Sequence, residues 1–313
     1  HGDSDALGRR LGGVANRQDG AGFVGVDPAR EELNMLYHFD AARIRNTTLP
    51  DNPESGIDYS LIALKKMFTE WDKAVDKGWP SIYLGNHDQP RMVSRFGSDK
   101  DEFRALSAKM LITFLLTMRG TPYWFAGDEI GMRNIRFDRI EDYNDIDTIN
   151  RYKKAKAEGK DPQAVLDEQK ETGRDNARTP FQWDRSPEAG FTAGTPWLKV
   201  NPDYTWINVA DEEKDPTSIL NYFKKVVSFR KENPSLIYGS YHLLDAENPQ
   251  SYTFLRKTGA DTYLIMLNFS PKAAISTPGI DMSNAHVLLD NYGDRSHMAP
   301  QKDITLRPFE AIV

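Results

Sequence analysis

Three short, almost wholly apolar runs recur about 45 residues apart, each parted from the next by a helical stripe, and this alternation restricts the fold most. The runs are Leu33-Asn34-Met35-Leu36-Tyr37-His38-Phe39, Ser81-Ile82-Tyr83-Leu84 and Thr121-Pro122-Tyr123-Trp124-Phe125. Apolar runs without alternation predict strands buried on both faces, as in parallel sheets. Between the first two, Leu61, Leu64, Met67, Phe68, Trp71 and Val75 recur at helical spacing, and Gly78 with Pro80 predicts the stop. Between the second and third, Ser98 to Asp101 has the S-x-x-D form of an N-terminal cap. Phe103, Leu106, Met110, Phe114 and Met118 then carry a helix to Gly120. The expected class is α/β, a parallel sheet covered by helices.

The rest of the chain departs from this pattern. Residues 1–30 are rich in Gly, Asp and Arg and read as a loop-like lead-in. A long polar insertion runs from about 133 to 214, after which Asp215-Pro216 predicts a helix with proline at its first position. Its stripe is Ile219, Tyr222, Phe223, Val226 and Phe229, ending at Asn233-Pro234. Beyond about residue 238 the apolar period becomes two. Ser251 to Arg256 and Thr262 to Leu267 flank a Gly259-Ala260-Asp261 turn and predict a hairpin. Val287-Leu288-Leu289 and Ile304-Thr305-Leu306 continue the strand pattern. The expected division is therefore 1–237 and 238–313, the second part a small antiparallel β domain.

Charge narrows the partners. Lys and Arg total 40 against 46 Asp and Glu, a net charge of −6, which argues against nucleic acid and suits a neutral ligand. The absence of cysteine removes disulfides, thiolate metal sites and cysteine nucleophiles together. No apolar run approaches the roughly 18 residues of a membrane-spanning helix, and the first residues, HGDSDALGRRLGG, lack the apolar core of a signal peptide. No membrane partner, metal or cofactor is expected, and the expected location is cytoplasmic.

Three segments carry candidate chemistry. Gly85-Asn86-His87-Asp88-Gln89-Pro90-Arg91 directly follows a predicted strand. At a strand end a carboxylate with a neighbouring imidazole can bind hydroxyls or stabilise positive charge; the competing reading is a turn in which Asn86 and Asp88 cap amides and Arg91 forms an ion pair. Gly127-Asp128-Glu129-Ile130-Gly131 offers adjacent carboxylates, which more often cap amides or form ion pairs than move protons. Arg174 to Asp184, reading RDNARTPFQWD, mixes hydrogen-bonding groups with aromatic rings that can stack on sugars; a well-packed polar loop is its alternative.

Taken together these segments resemble glycoside hydrolase family 13, of the oligo-1,6-glucosidase and α-glucosidase type. NHDQPRMVSRFG is similar to that family's fourth signature region, GTPYWFAGDEIGM to the stretch after its eighth barrel strand, and RDNARTPFQWD to a segment typical of oligo-1,6-glucosidases. ELNMLYHFD, PWLKVNPDY, YFKKVVSFRKENPSLIYGSY and LRPFEAIV agree in the same order, so the resemblance covers roughly residues 23–313. It implies the C-terminal part of a (β/α)8 TIM barrel, strands 6–8, followed by a small antiparallel β-sandwich domain. It implies a retaining enzyme that releases glucose from the non-reducing end of α-1,6- or α-1,4-linked oligosaccharides. Asp88 matches the carboxylate that binds sugar hydroxyls at subsite −1, and His87 its neighbour on the same glucose. Gln89 and Arg91 match positions at or near the next subsite, Arg178 the arginine that recognises the non-reducing end, and Asp147 an acidic contact at subsite +1.

The match also has a gap. No G-F-R-x-D segment occurs, and residues 1–30 contain no glutamate, so the family's nucleophile and acid/base are missing from these residues. Any calcium site would lie in the absent part. Glu31 and Glu32 belong to a strand entry and are poor substitutes. Three barrel strands instead of eight leave an edge and an apolar face to be covered, by an N-terminal half or by another copy of the chain. The chain alone is therefore expected to bind sugar without turning it over. A non-catalytic carbohydrate-binding relative and a sucrose isomerase or transglucosylase are the alternatives.

Overall fold

The computed structural model describes residues 35–36, 39–41, 44, 49–74, 78–259, 261–297 and 302–313. The reading of residues 1–30, Glu31 and Glu32, most of the first apolar run and Val75 lie outside them. The chain divides into two compact units, one formed by residues up to 83, 114–123 and 229–313, the other by 84–113 and 124–228.

In the first unit the strands Met35–Leu36, Trp79–Ile82 and Thr121–Pro122 form a parallel sheet in chain order. The second and third expected strands are shorter or shifted. Pro80 is part of the ladder, opposite Leu36, and does not merely end the preceding helix. At the head of a strand proline sacrifices one donor only. Tyr83 and Leu84 are buried but lie beyond the pairing. After Pro122 one more bond forms, from the Tyr123 amide to the Ile82 carbonyl at 2.8 Å. The helix Leu61–Ala74 buries Leu61, Leu64, Phe68 and Trp71 as its spacing predicts. Phe114 packs edge-on to Phe68 at 5.1 Å and to Phe269 at 5.7 Å, with Tyr252 at 5.2 Å.

The C-terminal strands Ser240–Leu243, Ser251–Thr258, Asp261–Asn268 and Ala311–Ile312 form an antiparallel sheet in that order. The predicted hairpin is present, Thr258 pairing with Asp261 across Gly259, whose φ of +56° suits a residue without a side chain. Ala274–Ser276 pairs with Ile304–Leu306 as a second, two-stranded sheet. Val287 to Leu289 is not a strand: the Leu288 and Leu289 amides donate to the Val313 carbonyl and Leu289 accepts from its amide, and the contact continues only as an isolated bridge between Asp290 and Ile312 with the Asn291 amide on Ala311.

In the second unit two starts differ from expectation. The helix Arg104–Thr117 opens after a turn in which the Lys100 carbonyl accepts from Phe103 and Arg104. Ser98 does not cap it; the Ser107 hydroxyl accepts from the Ser98 amide at 3.0 Å and donates to its carbonyl at 2.9 Å. Likewise Ile219–Glu232 begins beyond Pro216. Asp215 holds Thr217 in a turn, and the Ser218 hydroxyl caps the Asn221 amide at 3.1 Å. The two longer helices of the polar insertion, Ile146–Ala157 and Pro162–Thr172, are capped by Asp145 and Asp161. Their buried positions are few, Thr148, Ala155, Leu166 and Gln169, so little apolar periodicity marks them.

Glu212 provides a pH-dependent test of packing in this unit. Burial pushes its carboxyl up to about 7, against the opposing pull of the Leu220 amide at 2.9 Å and of Arg104 at 3.8 Å. A raised folded-state pKa means that the folded chain holds a proton the unfolded chain has lost. The associated stability is full below about 4.5 and lost as pH rises through about 7. Glu212→Gln, which keeps the acceptor for Leu220, is expected to gain on the order of 3 kcal/mol relative to wild type between pH 4 and pH 8. Urea unfolding at both pH values checks this; a difference that does not change with pH removes the argument.

Candidate functional site

The second unit assembles the predicted site. Its first segment, Leu84 onward, passes through Gly85, where a Cβ would come within 2.9 Å of the Asp128 carboxylate. The Asn86 side chain accepts from the Asp88 amide at 2.8 Å and its carbonyl from Gln89 at 3.2 Å. The turn reading and the functional reading of this segment are thus compatible. Asn86 ties the backbone so that the carboxylate of Asp88 projects, half-exposed.

Arg178 meets that carboxylate. Its Nη2 donates to Asp88 Oδ1 at 2.8 Å, and its Nε donates to the His87 carbonyl at 2.8 Å. His87 Nε2 lies 3.4 Å from the other oxygen, Asp88 Oδ2. The arginine is itself braced from behind. Asp145 Oδ1 lies 3.6 Å from Arg178 Nη1 and 2.6 Å from Arg174 Nη2, and Arg174 Nη1 approaches Asp88 Oδ1 at 3.7 Å. Two arginines therefore alternate with two carboxylates, an arrangement in which each charge stabilises its neighbours. Burial disfavours the Asp145 anion, but the Thr148 amide and hydroxyl and Arg174 outweigh it and hold the carboxyl below the usual range. Asp175 Oδ2 accepts from the amides of Asn144 and Asp145 at 2.7 and 2.8 Å, fixing this corner of the insertion.

A cavity of about 490 Å³ adjoins this network, lined by His87, Arg178 and Asn144 with the aromatic side chains Phe125, Phe181, Phe191 and Trp197. Its size and its mixture of rings with a few polar groups suit a small polar ligand. Among the described residues lining it, the carboxylate is Asp175, and both of its neighbouring amides already claim it.

The other predicted residues are placed differently. Arg91 lines the cavity but is only 2% exposed; its Nη1 donates to the Ala126 carbonyl at 2.7 Å, and Asp128 lies 3.9 Å away. It is a support under the cavity floor. Burial pushes Asp128 up to about 7 despite Arg91, and Glu129 accepts from the Gly127 amide, so this carboxylate pair is structural. Gln89 is partly buried beside the turn and does not line the cavity. Asp147 is exposed in the first turn of its helix and adds only longer-range attraction on Arg174. In the acidic stretch from Glu141 to Asp147 it is Asp145 that meets the arginines. Its position as an N-cap, three residues before Thr148, is the local signal that could have singled it out. Most of RDNARTPFQWD is scaffold: Asn176 donates to three backbone carbonyls and Gln182 to Asp203 and the Ile207 carbonyl.

With an oriented carboxylate, an arginine and a ring-lined cavity in view, comparison with known proteins assigns the class. The family model of the α-amylase catalytic domain matches residues 18–239, and the chain belongs to that family, glycoside hydrolase family 13. It is 46% identical to an oligo-1,6-glucosidase of Parageobacillus thermoglucosidasius over 93% of this chain and 52% of that one. Among solved structures it resembles the trehalose-6-phosphate hydrolase of Bacillus licheniformis, with a TM-score of 0.83 and 35% identity over 92% of this chain and 52% of the other. It likewise resembles the trehalulose synthase of Pseudomonas mesoacidophila, with a TM-score of 0.81 and 36% identity over 91% of this chain and 51% of the other. The chain spans about half the length of the curated relatives it matches.

Proposed function

We propose that the chain is the sugar-binding part of a retaining α-glucosidase, one that in its intact form releases glucose from the non-reducing end of α-1,6- or α-1,4-linked oligosaccharides. In this reading the three parallel strands are strands 6–8 of a (β/α)8 barrel, residues 1–237 belong to that barrel, and 238–313 form the β-sandwich domain. Asp88 binds hydroxyls of the subsite −1 glucose and stabilises positive charge on the ring, His87 donates to the same sugar, and Arg178 fixes the carboxylate and the non-reducing end. Gln89, Arg91 and Asp147 act around the next subsite, Arg91 from beneath it. The missing N-terminal half, or a second copy, covers the sheet. The observation that carries the reading is the 2.8 Å bond from Arg178 to a carboxylate left projecting beside a ring-lined cavity.

Since the nucleophile and proton donor are absent from these residues, the chain alone is expected to leave p-nitrophenyl α-glucoside unhydrolysed while binding glucose with measurable heat. Asp88→Ala should abolish that heat. Turnover by the wild-type chain that disappears in Asp88→Ala would overturn the claim of incompetence, and no heat from the wild type would refute sugar binding. A sucrose-isomerising enzyme is the second reading, favoured by structural likeness to a trehalulose synthase. Product analysis with sucrose, using the chain joined to its missing half, separates the two.

A further inference from the structure

One ring at the cavity has no role in the reading above. Trp197 is 59% exposed and lines the same cavity as His87 and Arg178. Two contacts hold its ring and a third holds its backbone. The indole Nε1–H donates to the Arg178 carbonyl at 2.8 Å, the Trp197 carbonyl accepts from the Asn144 side-chain amide, and the Phe191 ring stands at 87° to it with centroids 5.0 Å apart. The polar edge of the indole is thus used within the protein, so what the ring can offer the cavity it lines is its carbon surface. A ring fixed in advance binds without a further loss of rotamer freedom. Its bond to Arg178 also couples it to the arginine that orients Asp88.

We propose that Trp197 is a stacking platform for a second pyranose ring, so that the site prefers an α-linked glucoside of at least two rings to the monosaccharide. This rests on the glucosidase reading for the first ring. A pyranose carries hydroxyls around its rim and C–H groups on its faces, so polar groups can orient one ring while a flat apolar surface takes the face of the next. Asp88, His87 and Arg178 supply the first kind of contact and Trp197 the second.

Calorimetric titration of wild type, Trp197→Ala and Trp197→Phe with glucose and with isomaltose tests this. Wild type should bind isomaltose more tightly than glucose. Trp197→Ala should weaken isomaltose roughly fivefold to tenfold and glucose less than about twofold, while Trp197→Phe keeps most of the isomaltose affinity. Equal losses for both sugars would make Trp197 a support for Arg178, and no loss for isomaltose would give it no contact; either result overturns the platform while glucose binding by the wild type leaves the glucosidase reading standing. Heat from neither sugar overturns both. A measurement on the wild type alone covers the case in which the variants do not fold. Isomaltose, but not glucose, should protect Trp197 from oxidation by N-bromosuccinimide, read by peptide mass. Trp183 and Trp206, exposed but outside the cavity, should be oxidised equally with either sugar. Protection of all three rings, or of none, overturns the proposal.

Discussion

Arg256→Met is expected to lower the unfolding free energy of the chain by about 2–5 kcal/mol. The side chain is fully buried, and among the described residues no carboxylate forms an ion pair with it, Asp72 acting only at longer range. Its guanidinium instead donates to the carbonyls of Thr117 at 2.7 Å, Leu236 at 2.9 Å and Gly239 at 2.6 Å. Arg230 does the same for Leu116, Met118 and Gly120. Together they satisfy the carbonyls where the helix Arg104–Thr117 ends, at the negative end of its dipole. Methionine fills similar space but takes the donor from the Thr117 and Gly239 carbonyls, at about 1–3 kcal/mol each before relaxation, while Leu236 keeps its 2.9 Å bond from Arg230. Arg256→Lys, with one compact head for several acceptors, should fall between the two. Urea midpoints measure both variants, and a loss below about 1 kcal/mol for methionine would mean that water or a backbone shift replaces the bonds.

Arg178→Ala is the counterpart at the site. It removes the 2.8 Å bonds to Asp88 and to the His87 carbonyl, leaving Asp88 beside Arg174 and His87, and Asp145 beside Arg174. With Asp88 no longer oriented, sugar affinity should fall at least about tenfold, the loss of a charge-assisted hydrogen bond worth about 1.5–3 kcal/mol. Arg178→Lys should recover little, because one ammonium cannot reproduce the fork that spans a carboxylate and a carbonyl. Glucose titration by calorimetry gives the answer; an unchanged affinity in the alanine variant would separate Arg178 from recognition.

Such networks are where reading the sequence reached its limit. Helical spacing located Leu61–Ala74 and Ile219–Glu232 to within a few residues, because each buries a repeated apolar stripe. The helices of the insertion bury too little to leave that trace, and Ser98 carries a capping pattern that Ser107 satisfies from inside the helix. Local rules rank the groups able to cap a turn, but they do not register a competitor nine residues away.

The order of apolar runs and the motifs NHDQPR and RDNARTPFQWD determined the family and the class of fold and marked out Asp88, His87 and Arg178 as candidates, since these depend on local pattern and residue type. The tertiary structure alone decided which charges meet. Asp145, not Asp147, faces the arginines, because the helix cap turns one inward and the first turn carries the other out into solvent. Arg91 became a floor support and Trp197 a fixed ring at the cavity. These pairings join groups 19 to 90 residues apart, and their geometry is set by packing that no local pattern encodes.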